Sequence, residues 1–421
     1  MSDLIESPLA DVHRELGAKF AEFGGFEMPL EYSGVVSEHT AVRTKVGIFD
    51  VSHLGTFLVE GTGAVEWLNS RLANDLGRIS PGQAQYTLLL NDQGGVVDDM
   101  IAYVFSPEKV MVIPNAANSD EVIQRLRTGS PENLAWTDRH TADAILAIQG
   151  PLSSSVLDSV GLPTDMDYMH FRLAELDLES STDKLGHGDL DAGRVQNELD
   201  CSVETKEEVE ARSAEHGSSV PPVGHWNRPH VPAHVPPVTM TVCRTGYTGE
   251  HGYEIVIPAE YAVPLWNLLM SSGTLTPCGL GARDTLRTEM GYPLHGNDLS
   301  QTISPVEARL TWAVGWKKDH FDGDEAVRAQ RRDGAPRTLL GIRACGRGIP
   351  RHGMTVGDLD GNPIGIVTSG TFSPTLKQGI GLALIDSSYR AGDQVQVEIR
   401  TRHELFDLVK PPFVPSHVTD A

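Results

Sequence analysis

The sequence predicts an α+β protein that ends in a small antiparallel β-barrel of its own. Three observations predict it. Strand-like and helix-like segments alternate irregularly through the first 330 residues, as in mixed α+β layers. After Gly334-Ala335-Pro336 the texture changes to short strands separated by Gly and Pro, the spacing of a small barrel or sandwich. Between these, two adjacent acids, Asp98 and Asp99, interrupt a run that otherwise reads as buried strand.

The elements follow in order. Leu9, Val12, Leu16 and Phe20 recur at helical spacing, with Gly24-Gly25 as the stop. Val36, Thr40 and Arg43 ride on a second helix that stops at Gly47. Gly55–Gly61 reads as a strand, followed by a helix through Val65, Leu68 and Leu72. Tyr86–Leu90 and Gly94–Phe105 read as a hairpin, because Asn91-Asp92-Gln93-Gly94-Gly95 supplies turn residues. Lys109–Ile113 and Ala144–Ile148 are further strands, the second turning into a helix at Gln149-Gly150-Pro151. Thr239–Arg244 and Tyr253–Ile257 are strands joined by Gly246-Tyr247-Thr248-Gly249-Glu250. Tyr261–Met270 and Gly281–Met290 are helical. The barrel strands are Thr338–Arg343, Ile364–Ser369, Gly379–Ile385, Gln394–Ile399 and Leu405–Val409. The expected division is a region 1–330 and a barrel domain 335–421.

Residues 175–237 break this rhythm. Thirteen acids face four bases between Glu175 and Glu215, and six prolines follow from Pro221 to Pro237. That composition reads as a solvated or disordered insertion. His230 and His234 hint at a metal, yet no Cys or carboxylate keeps ligand spacing beside them, so no metal site is expected.

The bulk numbers exclude some classes. The 421 residues carry a net charge of −23, which argues against nucleic-acid binding. No run of about 18 apolar residues exists for a membrane span. The N-terminus lacks the basic-then-apolar order of a signal peptide. The four cysteines form no CxxC, as expected of a reduced, cytoplasmic protein.

Strand alternation separates the two acids. Asp99 shares a face with Val97, Ile101 and Tyr103, and Asp98 shares the other with Val96, Met100 and Val104. Both faces are apolar, so a carboxylate there needs a protein donor or a ligand. Glu254 repeats the pattern inside Tyr253-Glu254-Ile255-Val256-Ile257. It suits a guanidine-like edge, from an internal Arg or from a ligand. Arg283 opens a helix after Gly279 and Gly281, but Asp284 stands where a dinucleotide loop needs its third Gly. His53 reads as a satisfied structural histidine.

Together these segments resemble one family. Phe49-Asp50-Val51-Ser52-His53, Gly94-Gly95-Val96-Val97-Asp98-Asp99, Gly246-Tyr247-Thr248-Gly249-Glu250, Gly279–Arg287 and Val367-Thr368-Ser369-Gly370-Thr371-Phe372-Ser373-Pro374 are similar to the glycine cleavage T proteins, the aminomethyltransferases. The resemblance runs from about residue 8 to 415, except across the insertion. It implies a three-lobed fold around a central tetrahydrofolate site. It implies transfer of a one-carbon unit from the aminomethyl-dihydrolipoyl arm of an H protein to tetrahydrofolate. The products would be 5,10-methylenetetrahydrofolate, ammonia and dihydrolipoyl H protein, with no metal.

The resemblance also implies site roles. Asp99 is the essential carboxylate, set to stabilise cationic character as the C–S bond breaks or to take a proton from the folate amine. Glu254 reads the pterin edge, and Arg283 is a ligand-binding arginine. Tyr86, Tyr103, Asn115, Tyr247 and Trp312 line the pocket. Two departures stand out: Leu54 replaces the family's usual Met, a volume-conserving swap, and the tail Pro412–Val418 lacks a Tyr that some relatives carry. Another tetrahydrofolate-dependent demethylase on the same fold is one alternative. A non-catalytic folate-binding protein of iron–sulfur maintenance is another, but its Lys-Gly-Cys-Tyr segment is absent.

Overall fold

The computed structural model describes residues 4–178 and 237–419. Most of the stretch 175–237, including His230 and His234, lies outside the described residues. Its two ends do not. Glu175 and Leu176 finish the strand Phe171–Leu176 and pair with Thr239 and Val238. The stretch therefore leaves and re-enters the fold at one end of a β-hairpin.

Two sheets stacked between helices build the main body. The six-stranded sheet runs Phe171–Leu176, Val238–Cys243, Gly252–Pro258, Asp143–Gln149, Gly47–Asp50 and Thr276–Pro277. The five-stranded sheet runs Gln83–Leu90, Val96–Ser106, Lys109–Ile113, Phe57–Glu60 and Ala135–Asp138. Side-chain alternation gives each sheet two apolar faces. Ile48, Leu146, Ile148 and Ile255 pack outward on Val156, Leu157, Leu265 and Trp266 of the helices Ser153–Ser159 and Ala262–Met270. Met100, Ala102, Val104 and Val112 pack outward on Leu68, Val122 and Leu126 of the helices Ala64–Arg71 and Ser119–Arg127. The inner faces meet each other: Phe49, Ile145 and Val256 pack with Ala84, Tyr103 and Met111.

The last region is a closed barrel of Arg337–Ala344, Gln378–Asp386, Pro363–Ser373, Thr355–Gly357, Gln394–Ile399 and Arg402–Val409. Thr355–Gly357 is a sixth strand that the spacing does not reveal, being only three residues long. The helix Asp324–Asp333 before the barrel was not foreseen either. Its acids at the start and Arg331 and Arg332 at the end match the helix dipole.

Two expectations from periodicity fail for local reasons. The first helix covers only Ala10–Glu15, because Gly17 takes φ +73° and ends it. Phe20 then lies in the strand Lys19–Phe23. Gly24 and Gly25, both at positive φ, form the hairpin turn into Phe26–Glu31. The second failure is at Val97. Asp98 pairs with Leu89 and Val96 with Leu90, so Val97 is the extra residue of a bulge. Val97 therefore packs with Met100, Ala102 and Val104, and not on the face of Ile101 and Tyr103.

A buried polar lock ties the barrel to the body. Glu289, at the end of the helix Leu280–Met290, is fully buried. It accepts hydrogen bonds from Arg43 Nη2 at 2.9 Å, Ser373 Oγ at 2.5 Å and Thr375 Oγ1 at 3.0 Å. Arg43 also donates to Glu250 at 2.9 Å, and His417 of the tail meets the other Glu250 oxygen at 3.1 Å. Burial raises the Glu289 pKa, but His39, Ser373 and Arg43 outweigh it and hold the group at about 2.

Removing one member of such a network strands buried charge. Glu289→Ala is expected to cost about 3–5 kcal/mol of stability in denaturant unfolding. The pH dependence has a definite sign. A depressed pKa contributes stability that is complete above the ordinary carboxylate value and lost as pH falls through about 2. The wild type is therefore expected to lose more stability on acidification than Glu289→Gln. Equal slopes would remove Glu289 from the lock.

Candidate active site

A cavity of about 260 Å³ opens beside the inner-face cluster, between the two sheets and the helix Leu280–Met290. Tyr86, Asp99, Tyr103, Asn115, Tyr247, Glu254, Arg283 and Trp312 all line it. These residues come from separate elements along the chain, so only tertiary packing brings them together.

Asp99 reaches the cavity because Ile101 and Tyr103 on its side of the strand face the other sheet. It is half-buried, whereas Asp98 is fully buried and outside the cavity lining. Tyr86 lies diagonally across the strand pair and donates its hydroxyl to Asp99 Oδ2 at 2.9 Å. Asn115 Nδ2 donates to Asp99 Oδ1 at 3.0 Å and to Asp98 Oδ1 at 2.9 Å, bridging the two acids. Asp98 also receives the Asn115 backbone N–H at 3.0 Å and Asn118 Nδ2 at 2.7 Å. Both asparagines lie in the segment that leads into the helix Ser119–Arg127.

The pair is electrostatically strained. Burial, and then the charge of Asp99, push the Asp98 carboxyl up to about 8. Burial also raises Asp99, opposed by His295 and by the hydrogen bonds of Tyr86 and Asn115. Two such neighbours titrate as a unit. His295 completes the support: Nε2 faces the Val96 carbonyl at 3.1 Å, and Nδ1 meets Asn118 Nδ2 at 2.9 Å. In the neutral form of the ring that pattern places the proton on Nε2, with Nδ1 accepting from the amide.

Glu254 is buried on the opposite sheet and accepts Thr245 Oγ1 at 2.6 Å. Tyr103 OH stands 3.5 Å from the same hydroxyl. Arg283 lies 4.9 Å from the Tyr247 ring centroid, and its buried Nη1 has no protein partner. Burial lowers its pKa, against the pull of Glu254. The Tyr247 hydroxyl donates to the Pro293 carbonyl, which fixes the ring. Trp312 is 61% exposed and stacks on Tyr86 at 5.3 Å, so it forms a rim to the cavity. Arg287 lines the cavity too, but Asp284, Asp298 and Ser369 occupy its guanidinium.

Sequence reasoning missed Asn118, Thr245 and His295. Asn118 and Thr245 sit close to residues already singled out. His295 follows Gly291 and Pro293 in a loop, and no local pattern ties it to the aspartates. His53 was read as a satisfied structural residue, yet it lines the cavity and its buried Nδ1 has no partner. Among the described residues, no cluster of His, Cys, Asp and Glu could hold a metal ion, and no helix is long and apolar enough to cross a membrane.

The strain predicts a titration. A raised pKa contributes stability that is complete below the ordinary carboxylate value and lost as pH rises through about 8. Asp99→Asn removes the neighbouring charge. Carbon-detected NMR is therefore expected to show Asp98 titrating lower in that variant than in the wild type. An unchanged Asp98 would mean the two carboxyls are not coupled.

Comparisons with known proteins identify the family and the fold. Residues 9–180 and 230–318 match the GCVT N-terminal domain, and residues 337–415 match the glycine cleavage T-protein C-terminal barrel domain. The gap in the first match falls within 175–237. An aminomethyltransferase of Frankia alni is 49% identical over 99% of both chains. One from Mycobacterium tuberculosis H37Rv is 47% identical over 98% of this chain and 97% of its own. Among solved structures, the glycine cleavage system aminomethyltransferase T from Bartonella henselae superposes with a TM-score of 0.80. It is 29% identical and covers 99% of both chains. The chain belongs to the glycine cleavage T-protein family of aminomethyltransferases.

Proposed function

We propose that this chain transfers a one-carbon unit from the aminomethyl-dihydrolipoyl arm of an H protein to tetrahydrofolate, releasing ammonia. The family membership supports the reaction class. The observation that carries the site assignment is the half-buried Asp99, which lines the cavity and makes no ion pair there among the described residues. In this reading residues 1–330 hold the folate and the barrel, 335–421, buttresses it as a third lobe.

The residues fit the proposed substrates. Arg283 Nη1 is buried and unpartnered, and Glu254 offers carboxylate oxygen facing the same space. Glu254 accepts N–H groups of the pterin edge, a planar donor pair suited to a carboxylate. Arg283 meets a folate oxygen. Tyr86, Tyr103, Tyr247 and Trp312 supply the aromatic walls for a flat ring. Tetrahydrofolate supplies the nucleophilic nitrogen.

Asp99 does two things. Its negative charge opposes the positive charge that grows on the transferred carbon as the C–S bond breaks. Its raised pKa suits it to take the proton that the folate amine gives up on bonding to that carbon. Tyr86 and Asn115 hold the carboxylate in one orientation, each filling one oxygen. Asn115 and Asn118 keep Asp98 saturated and out of the cavity.

The assay is ammonia release from aminomethylated H protein in the presence of tetrahydrofolate. Purified wild type is expected to release ammonia only with both present, and failure to do so sinks the proposal. Asp99→Asn is expected to bind tetrahydrofolate normally and to lose on the order of a hundredfold or more in turnover. Glu254→Gln is expected to raise KM for tetrahydrofolate more than it lowers kcat, because it removes binding rather than chemistry.

A further inference from the structure

His53 sits just past the strand Gly47–Asp50, in a loop whose Gly55 N–H donates to the Pro114 carbonyl at 3.0 Å. The side chain is buried to 2% exposure and lines the cavity. A structural histidine in such a place is held through its ring nitrogens. This one is not. Among the described residues its sole hydrogen bond is at the backbone, where His140 Nε2 meets the His53 carbonyl at 2.8 Å. The ring meets Phe23 edge-on, at 5.0 Å between centroids.

A neutral imidazole carries one N–H donor and one acceptor. Leaving the buried Nδ1 unmet is costly, so the arrangement is built for a group that arrives. The charged or titratable groups around the ring are Arg283, Asp50 and His140. Burial and the charge of Arg283 push the His53 pKa down to about 3, so the ring stays neutral. Asp50 adds no ring contact, being engaged by Ser7, His13 and the Ser52 backbone.

The apolar part of the cavity lining selects the visitor. Phe23, Leu54, Pro114 and Leu280 line the cavity with His53. Apolar side chains of this kind match an alkyl dithiol chain better than a polar heterocycle. The polar groups suited to the folate, Glu254, Arg283 and Asp99, are other side chains.

We propose that His53 is a substrate-contacting residue that donates its ring N–H to the departing sulfur of the lipoyl arm. The assignment rests on the transfer reaction proposed above. As the C–S bond breaks, its electron pair moves onto sulfur. The imidazole keeps its proton and stabilises the growing negative charge through the hydrogen bond. The thiolate takes its proton from solvent on release. A neutral imidazole can polarise a developing anion in this way without acting as an acid.

Three measurements test this. Wild-type protein with ring nitrogens labelled is titrated with dihydrolipoamide and followed by NMR. A shift of the His53 ring signals is expected, with the ring remaining neutral between about pH 5 and 8; unmoved signals overturn the proposal. Secondly, His53→Leu is expected to lower kcat with aminomethylated H protein by about a hundredfold, while tetrahydrofolate binding by calorimetry stays unchanged. Full activity of His53→Leu beside active wild type overturns this assignment alone, whereas inactive wild type overturns the transfer reaction itself. Equal loss of folate affinity and turnover would place His53 on the folate and overturn the sulfur contact. Thirdly, His53→Gln keeps an N–H donor and cannot be protonated. It is expected to recover most of the lost turnover with a pH profile of wild-type shape. Loss of a pH limb in that variant would make His53 an acid or base and defeat the proposal.

Discussion

Two adjacent carboxyls cannot both face away from water without help, and much of the site is arranged around that constraint. Asn115 bridges Asp98 and Asp99 through one amide group, so neither acid can turn without disturbing the other. Asp98 absorbs donors from Asn115 and Asn118, and Asn118 in turn engages His295. The result is one saturated acid behind the strand and one half-satisfied acid in front of it. Burial raises both carboxyls, and the charge of Asp99 raises Asp98 further. A cation placed beside Asp99 would offset the cost of burying that carboxylate, and the proposed role of Asp99 rests on this.

The layers exist to hold that acid opposite a second set of groups. Asp99 stands on one sheet and Glu254 on the other, while Arg283 enters from the helix Leu280–Met290. The same helix carries Glu289, whose ties to Arg43, Ser373 and Thr375 fasten body to barrel. Arg287, between them, is paired with Asp284 and Asp298 and bonded to the barrel's Ser369. One helix therefore sets both the position of the free guanidinium and the seating of the barrel. Buried polar networks of this kind leave few alternative packings, because every misplacement strands a charge.

Much of this was legible residue by residue. Asp99 and Glu254 were conspicuous because a carboxylate in an apolar strand contradicts its surroundings. Strand alternation put Asp99 with Ile101 and Tyr103, and that much holds in the structure. It misplaced Val97, since a bulge inserts one residue without any composition that announces it. The helix from Leu9 was drawn too long because Phe20 continued the helical spacing, although Gly17 had already ended it. His53 was given a structural role, because an unsatisfied ring is visible only when its surroundings are.

By itself the sequence determined many of the elements, the two anomalous acids, the barrel texture of the last part and, through motifs in register, the family. Those are properties of short windows, where hydrophobic period, turn residues and local contradiction are read directly. Tertiary structure alone decided which donors each acid receives, and that His295, 177 residues from Asn118, supports the pair. It alone left His53 without a ring partner. The physical reason is that hydrogen-bond satisfaction depends on groups brought together across the chain, and no local spacing encodes who those partners are.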